Sequence, residues 1–244
     1  MKWILFIFRQ IWKGYFALVF ISTFLILYPI IFITLKNKKW YHIAFKIKRW
    51  VALISVFLSG IVLKVKRDCI LDKNKAYVIC CNHTSFLDVV LAYCLFDNYF
   101  VFMAKKELRK VPLFGEFLRT MDISVDRQSR LGSYRAFKQA ELQLEENKCI
   151  ILFPEGTIPL NAPEMIRFKN GAFKLAVEKQ VPIVPVTFLS NYKIFPSGNN
   201  FYKFGGPGIA SVVIHNIVET NNFNDDNIST LRDKVRSIIE KPLL

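Results

Sequence analysis

An uncharged stretch near the N-terminus sets the first limit on how this chain can fold. It runs from Gly14 to Leu35 and lies between Lys13 and Lys36. About 20 apolar residues are enough for a helix to cross the hydrocarbon core of a bilayer, and this stretch reaches that length. The run is long for a signal peptide, and no small-residue cleavage site follows it. We therefore expect an N-terminal helix that associates with a membrane.

A second apolar run covers residues 50–63 and is too short for an easy crossing. It fits a helix in the membrane interface, a re-entrant segment or part of a core. Residues 1–66 are therefore expected to form membrane-anchoring helices ahead of a domain that covers residues 67–244. Two placements remain open for the anchor: a helix that spans the bilayer, or helices that enter only one leaflet.

Positive charge is concentrated in the same region. The chain has a formal net charge of +15, and the segment 1–67 contains 12 lysines or arginines and no acidic side chain. The segment 68–244 carries 22 basic and 19 acidic side chains, so it is nearly balanced. A nucleic-acid-binding domain would place its charge on the polar surface of the fold, whereas basic residues beside apolar segments attract anionic lipid. We expect membrane lipids as partners and no nucleic acid.

The basic linker between the two apolar runs predicts the orientation. Residues 36–49 hold six lysines or arginines, against three in the segment 1–13. Loops on the cytoplasmic side of a membrane are enriched in these residues. The five cysteines are scattered and form no Cys-x-x-Cys pair, which is typical of reduced thiols. The sequence therefore predicts a protein of the cell membrane whose domain lies on the cytoplasmic side.

Short apolar strands alternate with helices after residue 66. This alternation indicates an α/β fold with a mostly parallel central sheet flanked by helices. Strands are predicted at residues 77–81, 99–104, 123–125, 149–153, 183–189 and 211–216. Helices are predicted at residues 86–96, 132–147, 171–179 and 229–241, with a helical region interrupted by proline at 108–120.

His83 and Asp88 lie where the predicted strand 77–81 meets the predicted helix 86–96. Ser85 and Asp88 match the Ser-x-x-acid pattern of a helix start, so Asp88 falls in the first helical turn. From there its carboxylate can reach back to the imidazole, fix the tautomer and leave the other ring nitrogen free as a base. A capping box and a structural histidine are the alternatives that these residues alone leave open.

Further blocks follow this pair in order. Phe-Pro-Glu-Gly-Thr stands at 153–157, Val-Pro-Ile-Val-Pro-Val at 181–186, and a basic stretch ends at Arg127. With the His-x4-Asp spacing of His83 and Asp88, they resemble the lysophosphatidic acid acyltransferases of glycerolipid synthesis. The likeness runs from about residue 82 to residue 186. It implies that His83 and Asp88 form the catalytic general-base pair of an acyltransferase that acylates the sn-2 hydroxyl of 1-acylglycerol-3-phosphate, giving phosphatidic acid.

Five residues are the candidates for substrate binding. Arg127 is the main candidate for the acceptor's phosphate, because a guanidinium can hold phosphate through two parallel hydrogen bonds. Lys105 is the second, since it ends a predicted strand where ligands of α/β sheets collect. By resemblance, Glu155 contacts the acceptor's glycerol, or else it holds its own turn. Gly156 and Thr157 complete the block.

Two positions depart from the family pattern. Ile158 follows Thr157 where the family often has arginine, and Met121 stands where the basic block usually begins with glycine. The missing guanidinium leaves open a different acceptor, either another lyso-lipid or glycerol-3-phosphate. Arg167 and Lys169 are the candidates to replace its charge.

No metal and no cofactor are expected. The three histidines are dispersed, and neither a His-Glu-x-x-His pattern, a Cys/His ligand spacing nor a phosphate-loop lysine occurs. The thioester would enter as a co-substrate, either acyl-CoA or acylated acyl carrier protein. The alternative from another class is a membrane lipid-binding protein without catalysis, and the intact His83, Asp88 and Glu155 argue against it.

Overall fold

A computed structural model describes residues 2–244 as a seven-stranded sheet between two layers of helices. The strands are β1 Ile61–Arg67, β2 Val78–Cys81, β3 Phe100–Lys105, β4 Ile123–Val125, β5 Cys149–Leu152, β6 Ile183–Phe188 and β7 Gly208–Ile214. Their order across the sheet is β1-β7-β6-β2-β5-β3-β4. Neighbouring strands are parallel except for β6 and β7, which pair antiparallel. The predicted α/β class and mostly parallel sheet are confirmed.

The helices cover both faces of this sheet. They are α1 Lys2–Leu35, α2 Tyr41–Leu58, α3 Leu87–Leu95, α4 Gly115–Thr120, α5 Arg130–Glu145, α6 Gly171–Glu178, α7 Asn191–Ile194 and α8 Ile228–Glu240. Alternate residues of β2 point to opposite faces, so Ile79 and Cys81 join a core with α1 to α4, whereas Val78 and Cys80 join a core with α5, α6 and α8. All four are fully buried, as expected of a parallel strand covered on both faces.

The apolar run 50–63 does not form one segment. α2 ends at Leu58, Gly60 adopts a left-handed φ of +69°, and β1 begins at Ile61 and pairs in parallel with β7. The sheet therefore starts ahead of the domain boundary predicted at residue 67. Apolarity alone did not reveal this division, because a short apolar run looks the same in a buried helix and in a strand.

α1 is one apolar helix of 34 residues, long and apolar enough to cross a membrane by length and composition. It also packs along the rest of the chain. Near its start Phe6 stacks on Tyr202 with ring centroids 6.1 Å apart, and further on Phe24 lies 4.8 Å from the ring of Phe114. Its other side exposes large apolar side chains: Trp3, Ile4, Ile7, Ile11, Leu18 and Ile26. An exposed apolar face of this length is consistent with membrane association.

Candidate active site

The predicted site residues meet at one edge of the sheet. Strands β2 to β5 are mutually parallel, so their carboxyl ends lie on the same side. His83 follows β2, Lys105 ends β3, Arg127 follows β4 and the block 153–157 follows β5. Parallel sheets bind ligands in the crevice outside this edge. The topology thus explains how residues far apart in sequence come together.

His83 and Asp88 are in contact. Nδ1 of His83 lies 2.9 Å from Oδ2 of the fully buried Asp88. The same oxygen accepts the backbone N–H of Thr84 at 2.6 Å and that of Ser85 at 2.9 Å. Because the carboxylate acts as an acceptor throughout, His83 donates its Nδ1–H to it, and Nε2 is the nitrogen with the free lone pair. This is the geometry predicted from the strand-to-helix corner.

Two residues outside the predicted site residues hold this pair. Asn191, in α7, donates its side-chain amide to Oδ1 of Asp88 at 2.7 Å. The ring of Phe153 stacks on the His83 ring, with centroids 4.0 Å apart and 18° between the planes. Phe153 belongs to the recognised block 153–157. Asn191 lies 103 residues from Asp88, and no local sequence pattern predicts this contact.

The hydroxyl of Ser85 is fully engaged within the corner. It donates to the carbonyl of Phe195 and accepts the backbone N–H of Leu87 at 3.0 Å, and the residue is fully buried. Ser85 therefore stabilises the start of α3, and its placement does not suit a nucleophile.

Glu155 lies behind the site and ties two loops together. Its Oε1 accepts the backbone N–H of His83 at 2.8 Å, and its Oε2 accepts that of Ile166 at 3.0 Å. Burial raises the pKa of the Glu155 carboxyl, and the two N–H groups oppose this effect. These contacts are structural, but they join the 153–157 block to two other segments and do not close the Pro-Glu-Gly turn itself. Contact with the acceptor's glycerol stays a prediction.

His83 lines a cavity of about 570 Å³. Lys105, Arg127, Gly156 and Thr157 line it as well, whereas Asp88 and Glu155 stand behind its wall. Most of the remaining wall is apolar and comes from α1 to α4 and β3, including Phe16, Phe20, Phe24, Val51, Leu87, Phe102, Phe114 and Phe117. A cavity of this size and polarity is able to hold an acyl chain, and α1 supplies part of its wall.

A buried ion pair faces the same cavity. Nζ of Lys48 lies 3.2 Å from Oδ2 of Asp122, and each side chain is 8% exposed. The ammonium also lies 4.6 Å from the ring centre of Phe117, and Oδ1 of Asp122 accepts the backbone N–H of Phe102 at 3.0 Å. Both charges are thus paired, as burial requires. Neither residue was among the site residues predicted from the sequence.

Gly156 lies beside two cationic side chains, those of Arg127 and Lys169. It has a φ of +75°, and its carbonyl accepts a hydrogen bond from Arg127. A Cβ placed on it would lie 3.0 Å from Nζ of Lys169 and 3.5 Å from Nη1 of Arg127. Glycine is therefore favoured by the backbone conformation, and a Cβ there would also displace the end of the Lys169 side chain. Nζ of Lys105 lies 3.9 Å from Oε2 of Glu107.

The chain is similar to known acyltransferases. The sequence model of the Acyltransferase family matches residues 62–189. The 1-acyl-sn-glycerol-3-phosphate acyltransferase alpha of Mus musculus is 32% identical over 193 residues, which make up 78% of this chain and 67% of the relative. The 1-acyl-sn-glycerol-3-phosphate acyltransferase of Saccharomyces cerevisiae is 32% identical over 182 residues, or 73% and 59%.

Other relatives are matched over a shorter part of their length. The chain spans about half the length of an uncharacterized acyltransferase of Schizosaccharomyces pombe, with 34% identity over 145 residues that cover 58% of this chain and 52% of the relative. Among solved structures, the 1-acyl-sn-glycerophosphate (LPA) acyltransferase PlsC from Thermotoga maritima matches with a TM-score of 0.79. That match covers 100% of this chain and 96% of PlsC at 23% identity, and it shows a shared fold.

Proposed function

We propose that this chain, which belongs to the acyltransferase family, moves a fatty acyl group from a thioester to the sn-2 hydroxyl of 1-acylglycerol-3-phosphate, giving phosphatidic acid. The placement of His83 carries the proposal: its imidazole is held by the buried Asp88 and lines an apolar cavity of about 570 Å³. An acyl chain needs such a cavity, and the accepting hydroxyl needs a base. The names of the relatives from Mus musculus and Saccharomyces cerevisiae support the same reaction.

His83 acts as the general base. Its Nε2 takes the hydroxyl proton as the hydroxyl oxygen attacks the thioester carbonyl carbon. The ester C–O bond forms, the C–S bond breaks, and the leaving thiolate receives the proton from the imidazolium. Asp88 keeps Nδ1 protonated and stabilises the imidazolium while it exists. A positioned base of this kind contributes about 10²–10⁴-fold in rate.

Arg127 and Lys105 are proposed to attract the phosphate of the acceptor. Both line the His83 cavity, where their charges offset the charge of a phosphate monoester. The donor is acyl-CoA or acylated acyl carrier protein. The basic N-terminal region suits an acidic carrier protein and an anionic lipid surface equally.

The chain is proposed to enter one leaflet from the cytoplasmic side of the cell membrane. α1 packs on the domain both near its start, through Phe6 on Tyr202, and beyond its middle, through Phe24 on Phe114. A helix held in this way cannot cross the bilayer without taking polar surface of the domain into hydrocarbon, which is costly. The basic residues that follow α1 then lie beside anionic headgroups.

An acceptor panel tests the proposal. The full-length protein in vesicles receives acyl-CoA with lysophosphatidic acid, a phosphate-free lyso-lipid, glycerol-3-phosphate or no acceptor, and thiol release is measured. We expect release that depends on lysophosphatidic acid. Release only with one of the other acceptors would move the function to that acceptor, the alternative that Ile158 favours. No release with any acceptor, from either acyl-CoA or an acylated carrier protein, would contradict catalysis and leave a lipid-binding protein.

A further inference from the structure

Three polar side chains form a cluster on the wall of the His83 cavity. Lys48, Asp122 and Tyr93 all line this cavity, although the side chains of Lys48 and Asp122 are each 8% exposed and Tyr93 is 9% exposed. Nζ of Lys48 lies 3.2 Å from Oδ2 of Asp122 and 5.0 Å from the centre of the Tyr93 ring. The mechanism proposed above uses none of the three.

The cluster lies deeper in the molecule than the proposed catalytic pair. Asp122 accepts the backbone N–H of Phe102, which precedes Lys105, the last residue of β3, by three residues or about 10 Å of strand. Tyr93 lies five residues beyond Asp88 on α3, which runs back from the same edge of the sheet, or about 7.5 Å of helix. A fatty chain whose carbonyl lies at the catalytic pair would therefore pass the cluster with its middle carbons.

The cluster contains hydrogen-bonding groups that the protein itself leaves free. The ammonium of Lys48 offers three donors, and Asp122 is its one hydrogen-bond acceptor among residues 2–244. The rings of Phe117 and Tyr93 flank the ammonium and stabilise its charge, but they do not replace oxygen acceptors. In the same part of the chain the Tyr93 hydroxyl has no hydrogen-bond partner. Burial and the charge of Asp122 raise its pKa, so it keeps its proton.

These free groups discriminate between chains that fill the cavity. Water can satisfy them while the cavity is open to solvent. A plain hydrocarbon chain displaces this water and offers no acceptor in return, which is costly for buried donors. A chain that carries an oxygen at the same depth replaces the lost hydrogen bonds. Buried polar groups arranged in this way reject an analogue that lacks the matching hydroxyl.

We propose that Lys48, Asp122 and Tyr93 form a subsite for a hydroxyl group in the middle of a fatty chain. The oxygen of this hydroxyl accepts a hydrogen bond from Lys48 or from Tyr93, and the hydroxyl donates its own proton to the carboxylate of Asp122 as a hydrogen bond. The inference rests on the proposed acyl transfer only for the source of the chain, which is either the thioester donor or the lyso-lipid acceptor.

Binding is tested without turnover, on the full-length protein in lipid nanodiscs. The Kd of radiolabelled hexadecanoate is compared with that of hexadecanoate hydroxylated near the carboxyl group, at mid-chain or at the methyl end. Each acid partitions into lipid equally for every variant, so the change in the ratio of Kd values is the measurement. Tyr93→Phe, and the double variant Lys48→Met with Asp122→Asn, should each lower the preference for the mid-chain hydroxyl at least about tenfold.

Tyr134→Phe is the matched control. Tyr134 also lies beside a lysine, with Nζ of Lys138 at 5.7 Å from its ring centre, but it is 58% exposed on α5 and lies outside the His83 cavity. This variant should keep the native ratio within about threefold, as expected of a surface substitution. Thermal unfolding in the same nanodiscs checks that every variant is folded.

Kinetics identify the source of the chain. If the donor carries the hydroxyl, Tyr93→Phe lowers kcat/KM for mid-chain hydroxyhexadecanoyl-CoA about tenfold relative to that for hexadecanoyl-CoA. If the acceptor carries it, the same change is seen between lysophosphatidic acids with hydroxylated and plain chains. Either result supports the subsite.

The subsite is overturned if Tyr93→Phe or the double variant keeps the native ratio of Kd values, or if Tyr134→Phe changes it equally. An equal loss for all three hydroxyl positions would also overturn it, because that result would mean only a general effect of polarity. A mid-chain preference that depends on Tyr93, in a protein that transfers no acyl group, would uphold the subsite and contradict the proposed enzyme. The two failures are therefore distinguishable.

Discussion

Asp88 receives hydrogen bonds from three directions, and each fixes a different part of the proposed active site. His83 approaches from the strand end, the backbone of Thr84 and Ser85 from the corner, and Asn191 from α7. The first two were predictable, because they follow from the local strand-to-helix corner. Asn191 was not predictable. It reaches Asp88 only because β6 pairs beside β2, and no spacing along the chain reveals this contact.

Replacing Asn191 by alanine tests this positioning role. Oδ1 of Asp88 then loses its donor at 2.7 Å, and a hydrogen bond to a charged group is worth about 1.5–3 kcal/mol. We expect kcat to fall about tenfold or more with little change in KM, and the pH profile of kcat to move. Asn199→Ala, at an exposed site bonded to Asn161, is the control. An unchanged kcat and pH profile in a folded Asn191→Ala protein would rule the role out.

The ion pair of Lys48 and Asp122 makes a separate prediction about stability. Lys48→Met leaves the 8% exposed Asp122 carboxylate without its partner, which costs about 3–5 kcal/mol for a buried pair. The double variant Lys48→Met with Asp122→Asn should recover most of this loss, because no unpaired charge remains. Denaturant unfolding in detergent measures both. Lys174→Met, which breaks an exposed pair with Glu178, should cost less than about 0.5 kcal/mol.

A loss of the same size in the double variant would contradict this explanation. It would mean that the packing of the Lys48 side chain, and not the unpaired charge, stabilises the cavity wall.

Most strands and helices from β2 onward were predictable to within a few residues, because the apolar runs there are closed by turn or helix-start residues, but α7 Asn191–Ile194 was not predicted. Residues 149–153 and 183–189, for example, correspond to β5 Cys149–Leu152 and β6 Ile183–Phe188. The division of residues 50–63 into α2 and β1 was not predictable. Its signal is a single glycine inside a continuous apolar run, and β1 is recognised as a strand only when it pairs with β7.

His215 links three of these elements and predicts a pH dependence of stability. Its Nε2 lies 2.8 Å from Oγ1 of Thr187 in β6, and that hydroxyl donates to the carbonyl of Ile239 in α8. Burial lowers the pKa of His215 below its usual 6.5. The unfolded chain therefore binds a proton at a pH where the folded chain does not, so stability is complete above about pH 6.5 and declines as the pH falls.

Thermal unfolding in detergent between pH 7.5 and pH 5 tests whether stability declines as the pH falls. The native protein should lose stability as the pH falls, and His215→Gln, which keeps a donor for Thr187 but does not titrate, should lose less. Equal pH slopes in the two proteins would show that His215 does not cause the effect.

The N-terminal helix and the rest of the chain build one cavity together. Phe16, Phe20 and Phe24 of α1 line the cavity that contains His83, so the proposed acyl site is built partly from the membrane-associated segment. The sequence suggested membrane-anchoring helices in residues 1–66, ahead of a domain in residues 67–244. It could not show the shared cavity, because an apolar side chain looks the same whether it faces lipid, substrate or core.

This arrangement predicts that both chain ends lie on the same side of the membrane. Tags at the N- and C-termini should both be digested by protease in sealed membrane vesicles whose cytoplasmic face is outward. Both should be protected in vesicles of the opposite orientation. Digestion of only one tag in either preparation would show that α1 spans the bilayer.

Acyl transfer by a His83→Ala protein is the most direct test of the whole account. With lysophosphatidic acid and acyl-CoA in vesicles, the variant should turn over at least about a hundredfold more slowly than the native protein, because the base is gone. Its thermal unfolding should stay cooperative, and His42→Ala, at the exposed histidine of α2, should keep native turnover. Native turnover by a folded His83→Ala protein would contradict the account.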